Sequence, residues 1–543
     1  MGDSFLDGNE GDMNSTSAEP ELSEPFLLGW LSSLGLDVEY IRGEGNTLYF
    51  LGEDGREVPV LDFAGGYGSL IFGHNHPEIV AHAQNLLASQ VPVHAQFSRH
   101  PYANDVALAL NKIINRELGT VEPYSAIFAN SGAEAVEAAV KHAELDRVLR
   151  AQALAEEIDA HFEEARSAVR GGTAAVSAAA RAQLGLGGGE SGGPDSAAVV
   201  LEELVAEVTR RNAEQSSRPP LFLSLEGAFH GKLVGSVQLT HNAGYRTPFT
   251  ALAAQARFVP RERPGALKEI IENNRAAVLD VVTEGGDIRV VPRDFPVFCA
   301  FVLEPIQGEG GINVISEEFA RDIQEVCATA DVPIIVDEVQ SGMGRSGTFL
   351  ASSQVGLRAD YYVLAKSLGG GLAKSSVMLV RKSRYRDEFE LLHSSTFAKD
   401  AFSCHIAHKV LDMLEAEDGK AYRLATERGA RLTEMFEAVR ADFPHVIKGT
   451  RGLGLMLGLE FSDQSESTSE PLREQADFLG YVIAGYLLRE HRIRTFPTAS
   501  AVNTLRFEPS VLLTDAEIDR LEAGLRAVCG LLRDQDGESL VRL

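Results

Sequence analysis

Short apolar runs alternating with amphipathic stretches divide the chain. Leu48-Tyr49-Phe50-Leu51 and Val58-Pro59-Val60-Leu61 flank the turn Gly52-Glu53-Asp54-Gly55, which predicts a hairpin. Pro59 has no N–H to donate and so predicts an edge position for the second strand. Apolar spacing turns helical over 78–87 and again over 104–118. Between about 127 and 380, apolar runs at 221–225, 297–303, 334–336 and 377–380 are separated by helical stretches. Continuous apolar strands between helices predict a mostly parallel sheet buried on both faces, hence an α/β domain. From about 400 onward, amphipathic helices alternate with strands such as Leu455-Met456-Leu457-Gly458-Leu459-Glu460-Phe461, which predicts a separate α+β unit.

One stretch interrupts this order. Residues 146–219 are rich in Ala, Glu and Arg and contain the glycine-rich run Gly185 to Gly193. Leu154, Ile158 and Phe162, and later Leu201, Leu204, Val205 and Val208, keep a helical stripe. The pattern reads as helix, glycine linker, helix: an insertion outside the sheet, serving as a surface elaboration or a partner-docking hairpin. Residues 1–24 are acidic and Ser/Gly-rich and are expected to be a disordered tail, with order beginning near Phe26. The resulting plan has an N-terminal segment at 25–110 contributing to a smaller domain. A large domain spans 111–395, and a C-terminal small domain spans 396–543.

Charge narrows the partners. Asp and Glu number 78 against 50 Lys and Arg, giving a formal charge of −28 over 543 residues, the opposite of what nucleic acid or an anionic membrane surface attracts. No uninterrupted apolar run reaches the eighteen or so residues of a membrane span. The start lacks the basic and apolar segments of a signal peptide, and Cys299, Cys327, Cys404 and Cys529 show no metal-like spacing. A cytoplasmic protein with free thiols and no metal is expected.

Candidate chemistry collects at strand ends. In Ile334-Ile335-Val336-Asp337-Glu338 an apolar strand delivers carboxylates to the carboxyl edge of the sheet, where open α/β folds bind ligands. Asp337 there either meets a cationic partner or caps the next turn, and the capping role suits Glu338. Tyr361-Tyr362-Val363-Leu364-Ala365-Lys366 delivers one lysine shortly before Gly369-Gly370-Gly371. Partial desolvation would favour its neutral amine, the condition for Schiff-base chemistry, while a lysine snorkelling off the strand end is the plainer alternative. Asn130-Ser131-Gly132-Ala133-Glu134 opens a helix, with Ser131 as helix cap or phosphate donor. In Glu226-Gly227-Ala228-Phe229-His230-Gly231, Phe229 is either a stacking surface for a planar ring or a buried turn aromatic.

Taken together, these residues resemble the class III, or ω-type, aminotransferases, pyridoxal-phosphate enzymes of fold type I. The resemblance rests on Ser131-Gly132-Ala133-Glu134-Ala135, Phe229-His230-Gly231, Glu304-Pro305-Ile306-Gln307-Gly308-Glu309-Gly310-Gly311, Asp337-Glu338-Val339-Gln340 and Lys366. Gly73-His74-Asn75-His76-Pro77 and Arg506-Phe507 also match, so that it runs from about 35 to 535 apart from the insertion. It implies an aspartate-aminotransferase-like fold, with a large mostly parallel-sheet domain and a smaller α+β domain. Lys366 would hold pyridoxal 5′-phosphate as an internal aldimine and act as base and acid. Asp337 would pair with the pyridinium nitrogen. Gln340 would bond the phenolic oxygen, Phe229 would stack on the ring, and Ser131, Gly132 and Ala133 would take the phosphate. His230 and Glu304 belong to the same cofactor-binding motifs. Thr396 would reach the phosphate of a neighbouring subunit, which implies a homodimer with shared sites. Arg506 would grip a substrate carboxylate, and Glu309 would mask that arginine for an ω-amino substrate.

The sequence departs from the family pattern at Ala398-Lys399-Asp400-Ala401 and at Ala373-Lys374-Ser375-Ser376. The expected activity is transfer of an amino group from an amino-acid donor to a ketone, aldehyde or keto-acid acceptor through a pyridoxamine intermediate. An aminomutase, a decarboxylase or a non-catalytic cofactor-binding protein are the alternatives. Specificity is expected to lie in loops such as 63–67 and the segment around Phe97.

Overall fold

The computed structural model describes residues 22–95, 98–99, 101–186, 193–261, 263 and 265–542. Residues 1–21 of the expected tail at 1–24, most of the glycine run and Phe97 lie outside them.

A seven-stranded sheet forms the centre, in the order Tyr124–Ala129, Ser376–Arg381, Tyr361–Leu364, Ile334–Asp337, Phe298–Leu303, Leu221–Leu225 and Arg257–Val259. Only Ser376–Arg381 runs against its neighbours; the other pairings through the sheet are parallel. Every residue of Phe298–Leu303 and of Ile334–Asp337 is buried, as apolar runs covered by helices on both faces require. The parallel strands present their carboxyl ends on one edge. Asn130, Glu226, Glu304, Asp337 and Lys366 all leave the sheet there.

The expected hairpin forms, pairing Thr47–Leu51 with Glu57–Asp62. Its second strand is not an edge, because Ile493–Arg494 pairs with Leu61 and Asp62 on the other side. Pro59 is tolerated because it lies short of that added pairing and faces only Tyr49. The same pairing ties the N-terminal segment to the C-terminal one. A four-stranded antiparallel sheet, Ile447–Leu453, Met456–Phe461, Thr504–Phe507 and Phe496–Pro497, completes the C-terminal half. That half is not a separate packing unit. Leu303 and Val336 of the large sheet share one continuous buried core with Leu457, Leu505 and Phe507.

The insertion is larger than the helix pair read from the sequence. The helix Gly132–Arg170 starts at the sheet edge and runs uninterrupted for 39 residues into the outer region. There it meets the helices Ala178–Leu184 and Gly193–Ser216 and a hairpin contributed by a distant stretch, Ala276–Glu284 with Asp287–Phe295. The hairpin turns on Gly285-Gly286, both at positive φ, the conformation a two-residue β-turn of this hand requires. Phe162, Ala165, Leu204, Val208, Val281 and Ile288 bury together in a core distinct from that of the main body. Asn212 locks helix to hairpin by donating to the Leu279 carbonyl and accepting from the Leu279 N–H, both at 2.7 Å. The insertion is therefore a lobe with an interior, not a pair of surface helices.

Among the described residues no helix is long and apolar enough to cross a membrane, and Cys299, Cys327, Cys404 and Cys529 are free and buried.

Candidate active site

Close approaches to glycine converge the strand ends. A Cβ on Gly132 would lie 2.7 Å from Val339 Cγ1, and one on Gly231 would lie 2.7 Å from the Ala133 Cβ. The start of the helix Gly132–Arg170 is thereby seated against both the strand end carrying Asp337 and the turn carrying His230. Gly308 presses on the side chain of Gln340, and Gly310 on the Gly227 backbone, so the Glu304–Gly311 run closes the same space.

Asp337 ends its strand 5% exposed, with Oδ2 2.8 Å from His230 Nδ1 and Oδ1 accepting from the Val339 N–H at 3.0 Å. Burial alone would push the His230 imidazole down, but the Asp337 carboxylate outweighs it and raises it above the ordinary histidine value. Glu304 accepts from the N–H groups of Phe229 at 2.9 Å and Gly308 at 3.0 Å, clamping the two turns together. Burial raises its carboxyl to about 7. The neighbouring Glu338 is the expected cap, accepting from the Ala351 and Ser352 N–H groups and the Ser341 hydroxyl.

Lys366 follows its strand at φ +45°, a left-handed conformation that costs a non-glycine residue of order 1–3 kcal/mol. Such strain is retained where the surroundings fix one side-chain direction. Burial lowers its ammonium below the ordinary lysine value, against the opposing pull of the Glu508, Glu309 and Asp337 carboxylates.

The helix start behaves partly as expected. Ser131 caps it, its Oγ accepting from the Glu134 N–H at 3.3 Å in a reciprocal capping box. Glu134 in return accepts from the Ser131 N–H at 3.2 Å. The Ser131 N–H is thereby taken by Glu134. The Ser131 hydroxyl proton and the first N–H groups of the helix, from Gly132 and Ala133, are the donors that this turn presents. Ser376, at one departure from the family pattern, donates from Oγ to the Ser131 carbonyl at 2.8 Å and steadies this turn. Asp400, at the other, caps the helix that begins at Ala401 by accepting from the Ser403 N–H at 2.9 Å.

Arg506 is 1% exposed and gripped bidentately by Glu309, with Nη1 to Oε1 at 2.7 Å. Its guanidinium lies 4.9 Å from the centre of the Tyr67 ring, which stacks on Phe496 at 5.8 Å. Burial would raise the Glu309 carboxyl, but Arg506 holds it below the usual range. The pair expected from the sequence is formed, in its masked state.

Gln340, Thr396 and Phe229 complete the expected set. The Gln340 amide, expected on a phenolic oxygen, here donates to Glu508 Oε1 at 2.7 Å. Thr396, expected to reach a neighbouring subunit, is exposed, in a segment fastened by Asn130 Nδ2 donating to Ser395 Oγ at 2.9 Å. Phe229 meets Tyr245 edge-on with ring centres 6.4 Å apart. The sequence reading passed over Glu508 and Arg345, both fully buried here. Glu508 stands two residues after Arg506 in an otherwise apolar strand end, and a charged side chain in that place was its only signal.

A mostly parallel sheet whose carboxyl edge gathers a part-buried lysine, a buried aspartate–histidine pair and the capped start of a long helix has the architecture of fold type I. The aminotransferase class-III family profile matches residues 33–528, and the chain belongs to that family. It is a pyridoxal-phosphate-dependent aminotransferase. Solved structures share the fold at low identity. An ornithine aminotransferase from Toxoplasma gondii ME49 is 20% identical over 92% of each chain, with a TM-score of 0.62. A PLP-bound amine transaminase from an uncultivated Pseudomonas species is 20% identical over 96% of this chain and 99% of its own, with a TM-score of 0.63. Plasmodium falciparum ornithine δ-aminotransferase is 19% identical over 92% and 94%, with a TM-score of 0.59. The residues fit the cofactor: a buried acid for its ring nitrogen, a lysine for its aldehyde, and helix N–H groups for its phosphate.

Proposed function

We propose that this aminotransferase takes its amino group from a donor carrying an α-carboxylate, and that Arg506 and Glu309 together let the same site accept a partner without one. The observation that carries the reading is the bidentate Arg506–Glu309 pair under Tyr67. A carboxylate entering the site would compete with Glu309 for the guanidinium fork. A substrate presenting an amine or an apolar group leaves the pair closed and meets no unpaired buried charge. Among the proteins of similar fold are ornithine aminotransferases and an amine transaminase, whose named substrates are of these two kinds.

Bound pyridoxal phosphate supplies an electron sink for charge developing on the substrate carbon. The chain's residues supply the rest. Lys366 Nζ would take and return the proton at the substrate carbon. Asp337, held by His230, would pair with the ring nitrogen, and Gly132 and Ala133 would hold the phosphate. The protein works as a cytoplasmic homodimer in which Thr396 reaches the partner's phosphate; the 66% exposed Phe397 and 93% exposed Leu391 beside it are surface for such a contact.

The test is a half-reaction screen followed by the visible absorbance of the bound cofactor. Arg506→Met should lose conversion by α-carboxylate donors on the order of 100-fold while retaining a carboxylate-free amine. Equal loss for both donor kinds would overturn the assignment.

A further inference from the structure

One short segment joins the Arg506 strand to the N-terminal hairpin. Arg494 pairs with Asp62 across one sheet, and two residues further on Phe496 pairs with Arg506 across another. Alternation along extended backbone sends Arg494 and Phe496 to one side and Thr495 to the other. Thr495 Oγ1 donates to the Arg506 carbonyl, and the Phe63 N–H donates to the Arg494 carbonyl at 2.9 Å. The register of three strands therefore fixes where these side chains lie.

The side chains form a chain of contacts. The Arg506 guanidinium lies 4.9 Å from the Tyr67 ring centre, and Tyr67 stacks on Phe496 with 16° between the ring planes. The Arg494 guanidinium in turn lies 4.7 Å from the Phe496 ring centre. Each ring of the stack meets one guanidinium, which its negative face attracts. Each guanidinium has its own acid. Glu309 grips Arg506, while the buried Asp62 accepts from Arg494 Nη1 at 2.9 Å and lies 2.8 Å from His74 Nε2. Tyr67 depends on this stack. It is 42% exposed, at φ +56° between Gly66 and Gly68 at +59° and +84°, a left-handed run that glycine adopts freely and tyrosine does not.

We propose that Arg494 is a positioning residue that sets specificity for α-carboxylate donors: anchored on Asp62, it holds Phe496, and through Phe496 the Tyr67 ring, over the Arg506 guanidinium. This rests on the reading of Arg506 as the group that takes a substrate carboxylate. A carboxylate displacing Glu309 binds a guanidinium fork more strongly when water is kept from it, and the Tyr67 ring is that cover. A donor without a carboxylate leaves Arg506 on Glu309, which the Ala499 N–H also holds at 2.7 Å, and gains nothing from the cover. Arg494 acts only through the two rings.

The experiment uses the full-length protein loaded with pyridoxal phosphate and follows the half-reaction by cofactor absorbance, with L-glutamate and benzylamine as donors. Arg494→Leu should raise the half-saturating concentration of L-glutamate about tenfold and leave its maximal rate within about twofold, as lost binding and not lost chemistry does. Both constants for benzylamine should stay within about twofold. Arg494→Lys returns a cation to Phe496 and Asp62 and should recover most of the L-glutamate binding. Phe496→Leu removes the ring that transmits the effect, should reproduce the selective rise, and decides the matter if Arg494→Leu does not fold. An unchanged L-glutamate constant in the deciding variant, or equal loss for both donors, overturns the proposal. Arg506→Met is run alongside. Equal loss for both donors there, or a wild type that converts neither, overturns the underlying reading. Discrimination by Arg506→Met with none by Arg494→Leu overturns the proposal alone.

Discussion

Asp337 Oδ2 and His230 Nδ1 lie 2.8 Å apart, in a place where both side chains are almost wholly out of water. Neither is affordable there alone. The Asp337 carboxylate raises the imidazole against the effect of burial, and the imidazole gives the buried carboxylate a hydrogen-bond partner. Asp337→Asn should drop the His230 titration below the ordinary histidine value, because burial, the largest influence, is then opposed only by the smaller pull of Glu304, as NMR of 13C-labelled histidine would show. The same variant should lower kcat at least about 100-fold, the usual scale for removing one preorganised charge from a transition state.

A methyl group at the helix start tests the anion site. Gly132→Ala places its Cβ 2.7 Å from Val339 Cγ1, so either the helix or the strand end must give way. Overpacking of this kind costs about 1–3 kcal/mol, and displacing the Gly132 and Ala133 N–H groups should weaken cofactor binding on the order of tenfold. Absorbance titration of the stripped protein with pyridoxal phosphate checks this. Unchanged affinity would mean the phosphate is held elsewhere.

Stability should fall with rising pH through a group outside the chemistry. Glu338 is pushed up to about 7 by burial, from an ordinary value of 4.5, despite the donors around it. Between those values the folded chain keeps a proton that the unfolded chain releases. Stability from this group is therefore full below about 4.5 and is lost by about 3 kcal/mol as pH rises through 7. Denaturant midpoints of Glu338→Gln should lack this component, giving a flatter profile between pH 5 and 8 than wild type.

The outer lobe should fail separately from the site. Phe162 is 5% exposed in the lobe's own core, and Phe162→Ala should cost about 3–5 kcal/mol there. Hydrogen exchange should accelerate over 158–208 and 276–295, with cofactor affinity held within about twofold because, among the described residues, Phe295 alone packs against both cores.

Legibility followed the physics of each element. The sheet strands were readable because burial on both faces forces uninterrupted apolar runs, and Lys366 and Asp337 stood out as charges ending such runs. The Arg506–Glu309 pairing came from resemblance, since 197 residues separate the partners and no local pattern joins them. The Gln340–Glu508 bond was invisible for the same reason: a side-chain amide has several acceptors within reach, and only tertiary packing selects one. The hairpin around Gly285-Gly286 carried a turn signal and was passed over. The lobe was underestimated because its core is assembled from two stretches, one between 158 and 208 and the other between 278 and 290. Pro59 misled because edge status belongs to a residue pair, and Ile493–Arg494 reaches only its neighbours.

The helix Gly132–Arg170 belongs to both interiors. At about 1.5 Å per residue its 39 residues form a rod of roughly 58 Å, with Ser131, Gly132 and Ala133 at one tip and Phe162, Ala165 and Val169 near the other. One continuous helix thus spans two interiors, and loosening the packing at its far tip leaves the near tip held by the main body's own core.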